Sequence, residues 1–383
     1  MARKRRDSKI TKAKLDGAPG SIWRAEWFLG FSLATAAVFA FSGENIYARL
    51  DNPLWLAFVF AWLFGTVMAS ALNVVRHADH VAEILGEPYG TLVLTLSITA
   101  IEVMSITAVM LHGDNNPTLV RDTLFAIVMI ILGGMVGVAL LAGGWRYREQ
   151  HYNLQSANTY LSVVIPLALL TLSLPNFTVT TPGPTLSTAQ QAFLVVVSIG
   201  LYCIFLAIQT GRHRRYFMSE EEAEEPSHAA TGGRGLAWHA VLLVAYILPV
   251  VLLAEQLAHP IDYLIETLKV PAPLGGVIIA MLVATPEAIS ATRSAWMNKV
   301  QRSINIFLGS VLSTIGLTVP IMLVISYLTA HEVFLGLAGA NEMLLAVTLA
   351  VSVVTFASGR TNILQGAVHV VLFAAFVMLI FQG

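Results

Sequence analysis

The chain has 383 residues, 56% hydrophobic and 12% charged, with a net charge of −1. A soluble protein of this size needs roughly twice that charged share to coat its surface, and the apolar residues here fall in runs near the ~20 that span a bilayer as helix. This excludes a soluble globular domain, indicates an all-α polytopic membrane protein sitting in the lipid bilayer, and gives no support for a nucleic-acid partner.

The tail 1–23 opens MARKRRDSKITKAK, a basic run that suits a topology signal at the cytoplasmic side. The first apolar span, 24–42, carries AVFA (37–40), which also fits a signal-peptide cleavage site, although its basic leader is long for one. Span 2 covers 53–74 and is followed by HADHVAEIL (77–85). The two histidines of HADH have metal-like i, i+3 spacing but no third ligand nearby. Span 3 (90–111) carries Glu102, and span 4 (121–142) carries LGGMVG (132–137), whose glycines suit close helix approach. Spans 5 and 6 cover 158–174 and 188–209, and Cys203, the single cysteine, lies in an apolar run, so no internal disulfide exists.

A linker at 210–236 contains SEEEAEEP (219–226), an acidic stretch of the kind that is usually solvated, with weak Ca²⁺ sensing as the sharper alternative. Span 7 (237–258) ends near Glu255, an acid placed to reach the interface or pair locally. Span 8 (273–296) carries Thr285, Pro286, Glu287 and Ser290, and span 9 (303–328) carries Asn305, Ser310, Ser313 and Thr314. Spans 10 and 11 cover 342–358 and 362–382. With the N-terminus cytoplasmic, all of the 22 lysines and arginines except Arg49, Arg121 and Lys269 fall nearest to cytoplasmic segments, which supports both the orientation and the count of eleven spans.

A shift of 185 residues lays EPYGTLVLTLSITAIEVMS (87–105) over APLGGVIIAMLVATPEAIS (272–290) without a gap. Pro88 meets Pro273, Gly90 meets Gly275, Glu102 meets Glu287 and Ser105 meets Ser290. The two acids lie five crossings apart, so the halves run in opposite directions. The chain therefore reads as an extra first helix plus two inverted five-helix repeats, 53–209 and 237–382. Such repeats are a mark of secondary transporters, with the site where the halves meet.

Each acid is the thirteenth residue from its glycine, ~18 Å along a helix rising 1.5 Å per residue, and so near mid-bilayer. An ionised acid there costs about 2.5–3.5 kcal/mol or more, and no span holds a central lysine or arginine to offset it. An exchangeable counter-charge follows: Glu102 and Glu287 bind a metal cation through oxygen, or take up protons. Thr99, Ser105, Thr285, Ser290, Asn305, Ser310, Ser313 and Thr314 are candidate supporting ligands, though each hydroxyl singly also suits helix packing. Pro286 is expected to break its helix and free a carbonyl near Leu282. Because the first half has Ile101 at that place, the two half-sites are expected to be unequal.

GEPYGTL (86–92), SITAIEVMSI (97–106), VATPEAI (283–289) and NKVQRSINIFLGSVLSTIGLTVP (298–320) resemble the cation/calcium exchanger superfamily. Within it they are most similar to the bacterial ChaA-type sodium/calcium–proton antiporters of the CAX-like branch. The likeness covers nearly the whole chain. It implies a bacterial inner-membrane protein in which Glu102 and Glu287 take the places of the paired acids of the repeats. It further implies alternating access, with spans 2 and 7 moving against the core. Members commonly carry Gly-Asn-Ala/Pro-Glu; here Thr99-Ala100-Ile101 and Ala284-Thr285-Pro286 precede the acids, and Gly133 and Gly134 stand where span 4 often has an asparagine. Fewer side-chain ligands weaken Ca²⁺ relative to Na⁺ or K⁺, so the choice among the three stays open.

The expected function is secondary active antiport, not enzymatic: export of Ca²⁺ and/or Na⁺, with K⁺ as a further candidate, in exchange for H⁺. No cofactor and no nucleotide motif is expected; the partners are inorganic cations and protons, and oligomeric state stays open. A passive cation channel using the same acid pair is the alternative, and an intramembrane hydrolase with a carboxylate dyad is a weaker one.

Overall fold

The computed structural model describes residues 26–86, 89–112, 116–218, 235–337 and 339–382. The basic tail 1–23 and the acidic run 219–226 lie outside the described residues.

Eleven helices are long and apolar enough to cross a membrane among those residues: α1 Trp27–Tyr47, α2 Pro53–Leu85, α3 Tyr89–Met110, α4 Leu119–Tyr147, α5 Leu154–Asn176, α6 Thr188–Arg212, α7 Leu236–Thr267, α8 Pro273–Trp296, α9 Val300–Thr329, α10 Gly339–Phe356 and α11 Ile363–Gln382. Each coincides with one expected span. Local chemistry sets several starts. Asn52 accepts from the backbone N–H groups of Leu54 and Trp55, with Pro53 as first residue of α2, and Ser187 and Gln190 form a reciprocal cap at α6. HADHVAEIL is the last part of α2, which runs to Leu85, and α7 ends in a wider π-turn, Tyr263–Thr267.

The helices alternate in direction. Call the face where α1 begins the near face; the odd helices leave it and the even helices return to it. The core is built on α4 and α9, the two most enclosed helices, with most of their apolar stretches buried. α8 packs between them, α3 touches α8 and α9, and α5, α6, α10 and α11 wrap the other side. The extensive contact between α2 and α7 makes these two a unit, laid against α3 and α8 with α1 outside.

Both α4 and α9 contain a π-turn, at Met129–Met135 and Thr314–Thr318. The two starts, 129 and 314, are separated by the same 185 residues that relate Glu102 to Glu287. A single-turn widening of this kind breaks the regular ladder and is common at functional sites. The glycines of LGGMVG do not turn towards the acids. A Cβ on Gly133 would lie 3.1 Å from Phe373 and one on Gly137 2.7 Å from Val370, so these positions let α11 close on α4. At Gly276 a Cβ would meet the Thr123 backbone nitrogen at 2.7 Å, so glycine also permits the α8–α4 crossing.

Candidate functional site

Glu102 on α3 and Glu287 on α8 are 1% and 9% exposed, on two helices that touch. Their hydrogen bonds come from one helix. Thr314 Oγ1 donates to Glu102 Oε2 at 3.0 Å, and Ser310 Oγ donates to Glu287 Oε2. Neither acid takes part in an ion pair among the described residues. A buried carboxylate with one hydroxyl donor is under-satisfied, and a proton or a cation would complete it.

Oxygen without a partner is concentrated around Glu102. Its Oε1 has no hydrogen-bond partner among the described residues, nor do the hydroxyls of Thr99 and Ser105. Those two residues stand three before and three after Glu102, on the same side of α3. The hydroxyl of Thr318, one turn beyond Thr314, is likewise buried and faces Glu102. Orphaned buried oxygens are rare, and a group of them beside a carboxylate suits a hard cation. Sequence reasoning missed Thr318. The signal was present in STIGLT, where Thr314 recurs four residues on.

Other expected residues sit differently. Thr285 turns its hydroxyl back to the Met281 carbonyl rather than towards the acids. Asn305 donates to the Phe217 carbonyl at 2.6 Å and accepts from Ser156 and Gln301, both at 2.9 Å. It thus ties α9 to α5 and to the segment after α6, and it contacts neither acid. Ser313 donates to the Ser310 carbonyl at 2.9 Å, while Ser290 lies exposed on α8. Pro286 does not break α8, which runs unbroken from Pro273 to Trp296. Enclosure between α4 and α9 holds the helix together, although the Leu282 carbonyl still lacks the N–H that proline cannot supply. Glu255 is exposed on α7 beside Tyr47, apart from the two acids.

A cavity of about 510 Å³ leads to this centre from the near face. Its mouth carries Asp79 near the end of α2, Arg214 after α6 and Arg302 at the start of α9. Deeper walls carry Ser290, Ser313, Ser310, Pro286 and Glu287. Glu102 does not line it. HADH lies on the flank: His77 is held by Glu26, Arg76 and His239, and exposed His80 approaches Glu83. No group of three or more His, Cys, Asp or Glu side chains suited to a metal occurs among the described residues.

Comparison with known proteins places this geometry in context. The sodium/calcium exchanger protein family matches residues 55–211 and 238–382. The sodium-potassium/proton antiporter ChaA of Escherichia coli (strain K12) is 38% identical over 333 residues, 86% of this chain and 90% of that protein. A putative ionic transporter, y4hA, of Sinorhizobium fredii is 41% identical over 318 residues, 83% of this chain and 86% of that one. The solved structure of native YfkE superimposes with a TM-score of 0.71 at 18% identity, over 93% of this chain and 100% of the other. The chain belongs to the sodium/calcium exchanger family of membrane transporters, and its described residues form eleven membrane-length helices, an extra first helix and two inverted halves.

Proposed function

We propose that this protein is an electrochemically driven cation/proton antiporter. It expels Na⁺, K⁺ or Ca²⁺ in exchange for protons, with Glu102 and Glu287 holding cation and proton in turn. The observation that carries this reading is the pair of buried carboxylates that take hydroxyl bonds from one helix and have no ion-pair partner among the described residues. A resident lysine or arginine would neutralise the pair permanently; without one, each must exchange its counter-charge. Thr314, Ser310, Thr99, Ser105 and Thr318 supply further oxygen. Their hydroxyls, with no amide at the acids, fit the monovalent cations in the name of the Escherichia coli relative, and two carboxylates keep Ca²⁺ within range.

Access alternates between the faces in this proposal. The cavity reaching Glu287 from the near face supports one end state. The halves, 53–209 and 237–382, rock about the paired acids, with α2 and α7 moving against α3, α4, α8 and α9. The near face is cytoplasmic and the membrane is the bacterial inner membrane, as the lysine and arginine distribution supports.

Everted vesicles loaded with a pH-sensitive dye and energised test the proposal. Adding Na⁺, K⁺ or Ca²⁺ separately should release protons from wild-type vesicles and not from Glu102→Gln or Glu287→Gln vesicles. Cation flux without proton movement would replace this reading with a passive channel.

A further inference from the structure

The residues that line the cavity come from the near side and the middle of the helices, and none from the far face, where α1, α3 and α7 end. A histidine pair stands there. His112, just past α3, places Nε2 3.3 Å from Nδ1 of His259 on α7, with the rings edge-on and their centroids 4.1 Å apart. Tyr47, at the end of α1, stacks on His259 with centroids 4.0 Å apart, and its hydroxyl donates to Gln256 Oε1 at 3.0 Å. Acids surround the group: Glu255 acts on Tyr47, Asp262 faces His112, and Glu266 neighbours Asp262.

We propose that His112 and His259 are a proton-binding latch that shuts the far side of the transport path and releases when both imidazoles are protonated. This rests on the exchange reading above. A hydrogen bond between two imidazoles needs one N–H and one lone pair. The neutral pair has both, and so does the pair carrying one extra proton. A second extra proton leaves N–H facing N–H and two positive charges in contact, and the bond is lost. Asp262 lies beside His112 and Glu266 beside Asp262, so a charged His112 has a carboxylate partner once the bond is lost. Once released, His259⁺ keeps Tyr47 as a cation–π partner. The separation therefore falls between α1 with α7 on one side and α3 on the other, where alternating access requires a gap. The ion that opens the latch is the one that must enter from that side. The second pair, His77 Nδ1 and His239 Nδ1 at 3.0 Å, joins α2 to α7, which travel together in this scheme and need not part.

The test uses full-length protein in liposomes, with Cys203→Ser and a single reporter, Ser105→Cys, the repeat partner of cavity-lining Ser290. Glu102→Gln and Glu287→Gln are included so that the site acids cannot titrate. Labelling by a membrane-impermeant maleimide added on the far side is normalised to denatured protein at the same pH. Lowering far-side pH from about 8 to about 4 should raise normalised labelling at least fivefold. His112→Gln with His259→Gln should give high labelling at both pH values. Retained pH dependence in that variant, or none with both histidines present, overturns the latch. As an independent measure with both acids intact, His112→Cys and His259→Cys bridged by a short bis-methanethiosulfonate should stop exchange until reductant is added; unimpaired exchange while bridged also overturns it. If unbridged protein with native acids moves no protons against cations, the antiport reading fails instead.

Discussion

At the residue scale the two half-sites are unequal in a way the repeat makes explicit. Thr314 and Ser310, the donors to Glu102 and Glu287, stand opposite Met129 and Phe125 in the first half. α9 therefore contributes hydroxyls to both acids, and α4 offers sulfur and an aromatic ring at the equivalent places. A hydrogen bond to a charged group is worth about 1.5–3 kcal/mol, more than ten-fold in affinity. Thr314→Val keeps the shape and removes the hydroxyl, so the apparent KM for the driving cation should rise by about 10- to 100-fold, while Thr314→Ser should stay within a few-fold of wild type. Cation titrations of proton release in vesicles check this. A Val variant with an unchanged KM would remove Thr314 from the proposed site.

At the element scale, proline and glycine positions separate local need from function. Pro286 lies in an unbroken α8, where an interior proline costs about 3 kcal/mol relative to alanine. Pro286→Ala should therefore raise the Tm of detergent-solubilised protein by several degrees, and slower exchange would be expected if the loose turn at Leu282 takes part in the movement. Gly276→Val should abolish exchange by driving α8 from the Thr123 backbone, whereas Gly211→Ala, with no atom within 4 Å of the added Cβ, should leave transport unchanged. Purification yield, Tm and dye-based exchange measure all three.

The eleven spans were legible because twenty apolar residues in a row have one physical use, and the acids were legible because nothing else charged lies so deep. The donors were only partly legible. A serine or threonine in a helix can bond its own preceding turn, as Thr285 does, or reach a neighbour, as Thr314 does, and periodicity does not distinguish them. Asn305 looked like a ligand by residue type; its amide is consumed by Phe217, Ser156 and Gln301, partners distant in sequence.

At the scale of the whole molecule, one asymmetric state carries information about its counterpart. In the alternating access proposed above, an inverted repeat reaches its second end state when each half adopts the conformation of the other. Glu287, Ser290 and Pro286 line the near-face cavity, so in the other state Glu102, Ser105 and Ile101 should line a cavity from the far face. The Ser310 and Ser313 wall would be replaced by Phe125 and Val128, a less polar lining that holds a cation less well and favours its release on that side. The consequence is measurable with two single-cysteine proteins, Ser290→Cys and Ser105→Cys, each in a Cys203→Ser background. Ser290→Cys should react with an impermeant maleimide from the near face and Ser105→Cys from the far face. Any change of cation or proton gradient that speeds one should slow the other, because both report one two-state equilibrium. Reaction of both cysteines from the same face, or rates that rise together, would mean a continuous water path through the acids and would remove alternating access from the mechanism.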